Sequence, residues 1–131
     1  MTGTTDAREL VSTLFDRMTE GDLDGMAELL HPEFVSHNPR VAHDPAVTTG
    51  KRAFVDFFRS EAGQRLLAAP FEIRRVLVDG DLVAVHNRIS PPGGPEIAAV
   101  DLLAVRDGLV VEHWDVVQPV PDPLPHPHGM F

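Results

Sequence analysis

At 131 residues the chain is long enough for one real hydrophobic core and too short for two. Its 43% apolar and 24% charged residues are those of an ordinary globular protein, and the lack of cysteine excludes disulfides, thiolate metal sites and a cysteine nucleophile. The net charge of −9, with Lys51 the only lysine and the arginines scattered, speaks against a nucleic-acid partner, which would need clustered cations.

Asp6 to Glu20 reads as an amphipathic helix, because Leu10, Val11, Leu14, Phe15 and Met18 recur at helical spacing. Thr4 or Thr5 is the expected cap and Gly21 the stop. A second short helix is expected over Leu23 to Leu30, ahead of Pro32. Phe34 to Pro39 is extended, since Pro39 pushes Asn38 out of the helical region. After a loop from Val41 to Gly50, a third helix runs from Lys51 to about Leu67, with Phe54, Val55, Phe57 and Phe58 on its apolar side and Pro70 closing it.

The period then changes. Phe71 to Val78, Leu82 to Ile89, Ile97 to Val105 and Leu109 to Val117 are strand-like runs rich in Val, Ile and Leu. Asp79–Gly80 and Asp107–Gly108 supply hairpin turns, and Pro91 to Pro95 a longer connection. The Pro-rich tail, residues 119–131, is irregular and ends in the apolar pair Met130–Phe131, which favours a strap across the sheet over a free end. Helices followed by a four-strand meander predict one α+β domain over residues 1–131, with three helices on one face of an antiparallel sheet. No signal peptide or membrane-length apolar run is visible, so a soluble cytoplasmic protein is expected.

Polar residues inside apolar strands carry the functional signal, because burying one without a partner costs about 1–3 kcal/mol. His86 and Asn87 interrupt the second strand, Asp101 the third, and His113, Trp114 and Asp115 the fourth. A three-residue Arg106–Asp107–Gly108 loop would pair Val105 with Leu109 and set Asp101 directly opposite His113. A two-residue turn would pair Asp101 with Trp114 instead and send His113 to the other face. An Asp–His pair in an apolar cavity can move protons near neutral pH, and the same pair can serve only to fix the sheet. His37, His86, Asp101 and His113 also form a conceivable metal set, although no closely spaced ligand pair is present.

The segments Gly21–Asp22–Leu23–Asp24–Gly25, His31–Pro32–Glu33–Phe34 and Ser36–His37–Asn38–Pro39 resemble the opening of a nuclear transport factor 2-like domain. The run from Val100 to Leu103, then Asp107–Gly108 and Glu112–His113–Trp114–Asp115 through Pro121, resembles the SnoaL-like subgroup of polyketide cyclases and aldol condensation-catalysing enzymes. The resemblance implies a cone, in which a curved sheet wraps three helices around a cavity, and a homodimer through the outer sheet face. A small-molecule substrate and no cofactor are expected. Against the similar ketosteroid isomerases, their proton-carrying Asp falls on Asn38 and their oxyanion Tyr on Leu14, so that mechanism is not expected; only their second acid has a counterpart, Asp101. The expected chemistry is cyclase, isomerase or lyase proton transfer next to a carbonyl. Asp101 would be the general acid–base, His113 or His86 its orienting or relaying partner, and Asn38 and His37 the hydrogen-bond donors to an enolate oxygen. Phe15, Phe54, Phe58 and Trp114 are the expected substrate-binding wall. The alternatives are a pocket that only binds a hydrophobic metabolite, or a metal-dependent enzyme.

Overall fold

Asp6 accepts a hydrogen bond from the Arg8 backbone and so starts the first helix, α1 (Ala7–Thr19), in a computed structural model that describes residues 6–131. The expected caps Thr4 and Thr5 lie outside the described residues. α1 buries Leu10, Val11, Leu14 and Phe15, the stripe its periodicity predicts. α2 (Leu23–Glu28) is shorter than expected, because the chain turns extended at Leu30 and enters β1 (Leu30–Ser36). Pro32 falls inside β1, where the pairing register shifts, as befits a residue with no N–H for the ladder.

The single helix expected over Lys51 to Leu67 is two: α3 (Gly50–Arg59) and α4 (Glu61–Ala68). Ser60 makes the break, with extended backbone and a side chain that accepts from the Gly63 N–H, which caps α4. Gly63 is required at this corner, since any Cβ there would collide with the Phe57 carbonyl.

β2 (Phe71–Asp79), β3 (Leu82–Ile89), β4 (Ile97–Arg106) and β5 (Leu109–Pro119) form the expected meander. β1 adds a fifth strand, parallel to β5, so the order is β1-β5-β4-β3-β2 in a curved mixed sheet of an α+β fold. The main core lies between helices and sheet, with Met26, Leu30, Phe34, Val83, Val85 and Val110 almost wholly buried.

The β4–β5 register differs from both expected alternatives. Asp107 and Gly108 form a two-residue turn with φ of 57° and 73°, so Arg106 pairs with Leu109 and Val105 with Val110. A bulge then leaves Val111 unpaired, and Ala104 pairs with Glu112. Asp101 therefore lies opposite Asp115, and His113 opposite Leu103. The extra residue keeps His113 on the face of Asp101, one pleat away on the diagonal.

The tail folds back over the sheet face turned away from the helices. The Met130 carbonyl accepts from His86 Nε2 at 3.0 Å, and the Phe131 ring stacks on His86 beneath the Arg88 guanidinium. No described helix is long and apolar enough to cross a membrane.

Candidate active site

Between α1, α3, α4 and the concave sheet face is a cavity of about 100 Å³. Its walls are apolar: Leu14, Phe15, Phe54, Phe58, Ile97 and Val117 are among the lining residues. One end is polar, formed by Asn38, Arg40, Asp101, His113 and Asp115. Three of the four expected wall aromatics, Phe15, Phe54 and Phe58, face this space.

Strand alternation assembles the polar end. On β3 the inward residues are Val83, Val85, Asn87 and Ile89; on β4 they include Ala99, Asp101 and Leu103. His113 is buried, and its Nε2 lies 2.7 Å from Asp101 Oδ1. Its Nδ1 lies 3.0 Å from Ser36 Oγ, which accepts the Asn38 backbone N–H at 3.1 Å. Asp101 Oδ2 accepts from the wholly buried Asn87 amide. One line of hydrogen bonds thus crosses β1, β5, β4 and β3.

Asp115 completes the site from beside Asp101 on the neighbouring strand. Its Oδ1 is buried and has no hydrogen-bond partner among the described residues. Burial pushes its carboxyl above the ordinary value of 3.8; the neighbouring His113 ring opposes this, Asp101 adds to it, and Arg40 opposes it more weakly. Asp101, His113 and Asp115 each present a donor atom, all within 4.8 Å of one another. Both His113 nitrogens have polar partners, Asp101 on one side and Ser36 on the other.

Other expected site residues lie elsewhere. His86 is in phase with Ala84 and Arg88 and points to the outer face, where its Nδ1 meets Arg75 and its Nε2 the tail. His37 stacks on Trp114 with rings 5.3 Å apart and bonds Glu112 at 2.7 Å. His37, His86 and Trp114 are all absent from the cavity lining, so the expected His37–His86–Asp101–His113 metal set does not converge. Asn38 does line the cavity; its Oδ1 is occupied by the Arg40 N–H.

Ser36 and Arg40 carry no site signal in the sequence, and Asn87 and Asp115 stand out there as polar interruptions without a site role. Parity marks two of them: Asp115 is in phase with His113, and Asn87 with Val83 and Val85. Ser36 depends on the parallel pairing of β1 with β5, which no local pattern announces.

Residues 11–113 match a family model described as the SnoaL-like domain. No curated protein matches the chain. Among solved structures, IdmH of Streptomyces antibioticus, a proposed polyketide cyclase, superposes with TM-score 0.69 at 22% identity, covering 86% of this chain and 92% of that one. An NTF-2 like protein of unknown function from Burkholderia xenovorans LB400 gives 0.72 at 20%, covering 93% and 88%. A steroid delta-isomerase from Pseudomonas aeruginosa gives 0.67 at 23%, covering 88% and 82%. At these identities the likeness speaks for the fold alone.

Proposed function

The chain belongs to the SnoaL-like domain family, and from that premise we propose that it catalyses cofactor-independent proton transfer next to a carbonyl of a small apolar molecule. The observation that carries this reading is the pair of carboxyl groups, Asp101 and Asp115, side by side at the polar end of an otherwise apolar cavity.

Asp101 takes the α-proton, the C–H electron pair moves into the enolate, and the developing oxygen charge meets the Asp115 carboxyl, which burial disposes to carry a proton. His113 and Asn87 orient Asp101, and Asn38 stands beside the oxygen. Phe15, Phe54 and Phe58 exclude water. Attack of the enolate on a second carbonyl would make the reaction a cyclisation or aldol step; return of the proton to another carbon would make it an isomerisation. His37, His86 and Trp114 have no role in this scheme.

Exchange of α-protons of a panel of small cyclic ketones in D2O, followed by NMR, tests the proposal. The wild type should accelerate exchange, and Asp101→Asn should lower it by about 100-fold or more while the thermal midpoint is kept. Ketones that bind without exchanging, or an Asp101→Asn variant of full activity, would overturn it in favour of a pocket that only binds. Activity that tracks a stoichiometric bound metal would overturn it in favour of metal chemistry.

We propose in addition a homodimer through the outer sheet face. Val100 and Val116 are cross-strand partners there, and Val116 is 72% exposed, an unusual surface for a strand residue without a partner.

A further inference from the structure

We infer that Ser36 is a positioning residue which, through a hydrogen bond to Nδ1, holds His113 in the tautomer whose proton is on Nε2 and so aims a hydrogen-bond donor at Asp101. The inference deepens the proton-transfer reading and rests on it only in taking Asp101 as the acceptor of the substrate proton.

For a neutral imidazole the donors along the line allow one consistent assignment. The Asn38 backbone N–H can only donate, so Ser36 Oγ accepts it at 3.1 Å. That leaves the hydroxyl proton free to point at His113 Nδ1, 3.0 Å away. Nδ1 then serves as the acceptor, and the ring proton belongs on Nε2, which lies 2.7 Å from Asp101 Oδ1. The other carboxylate oxygen takes the Asn87 amide. With the opposite tautomer, Nε2 and Asp101 Oδ1 would confront each other as two acceptors, and Ser36 would face two donors with its own proton unplaced.

Among the described residues, Asp101 and Ser36 are the side-chain hydrogen-bond partners of the His113 ring. Phe54 of α3 meets the ring edge-on, with centroids 5.6 Å apart, and Leu103 is its cross-strand neighbour. The titratable groups beside it are Asp101 and Asp115, and Arg40 acts on Asp115 from the same end of the cavity. Ser36 is held in place by backbone pairing on both sides: its Cα partner is His113, and the next N–H, from His37, bonds the His113 carbonyl at 2.7 Å. Serine, histidine and aspartate in a row also suggest a nucleophilic triad. Ser36, however, is not among the residues lining the cavity, and it touches Nδ1 from the far side of the ring, so its hydroxyl has no path to a substrate.

Two readouts test the assignment on full-length protein labelled with 15N-histidine. Long-range 1H–15N correlation should show wild-type His113 as a single neutral tautomer with bare Nδ1 and protonated Nε2. Ser36→Ala should replace that signature with a mixture and lower ketone exchange about tenfold in kcat, with KM within about twofold. Ser36→Thr, which keeps the hydroxyl, should restore both. A wild-type proton on Nδ1, or an unchanged tautomer in Ser36→Ala whatever its activity, would overturn the inference. Absence of ketone exchange in the wild type would instead strike the catalytic reading and leave the tautomer result standing.

Discussion

Asp115 combines a buried oxygen that has no partner with a carboxyl that burial pushes toward its neutral form. The folded chain therefore holds this proton to higher pH than the unfolded chain does. Its contribution to stability is fullest below the ordinary value of 3.8 and is lost as pH rises through the folded value. Asp115→Asn should accordingly stabilise the fold at about pH 7 and give little gain at about pH 3, as read by urea denaturation at the two pH values. An equal change at both would mean that charge burial is not what the substitution relieves. The neighbouring Asp101 differs in kind, because both its oxygens have partners. Asp101 and His113, which line the cavity, are conspicuous in the sequence as polar groups in apolar strands, whereas Asn38, which also lines it, stands out only through the family resemblance. His86 was misplaced for a simple reason: Asn87, not His86, shares the phase of Val83, Val85 and Ile89.

The helix expected to run on to Leu67 breaks at Ser60, and the break moves α4 into the cavity wall through Leu66 and Leu67. Ser60→Ala should cost about 1 kcal/mol of stability by removing the cap, measured by denaturant midpoint, and should open a gap beside Phe57. Apolar spacing made α1 and the four meander strands readable. Only the end of β1, Phe34 to Ser36, was readable as extended; Leu30 to Glu33 and the pairing with β5 stayed unread, because a strand containing Pro32 and pairing with a partner some 80 residues away is defined by long-range contacts. The Val111 bulge was equally invisible. One residue that leaves the ladder decides whether His113 looks inward or out, and turn type alone predicted the wrong partner for Asp101.

Taken whole, the sheet has two unlike faces. The concave face closes with the helices over the cavity; the opposite face shows Val100, Val116 and the docked tail. If the second face joins two copies, Val116→Arg should shift sedimentation from dimer to monomer while ketone exchange persists. A wild type that sediments as a monomer would refute the pairing. That division also has an optical consequence. Trp114 is the only tryptophan and the chain has no tyrosine, so its near-ultraviolet emission comes almost wholly from one indole, stacked face to face on the His37 imidazole outside the cavity. The colour and brightness of that light will follow what touches the outer surface and the charge on one exposed imidazole, while remaining largely blind to whatever fills the hollow beneath it.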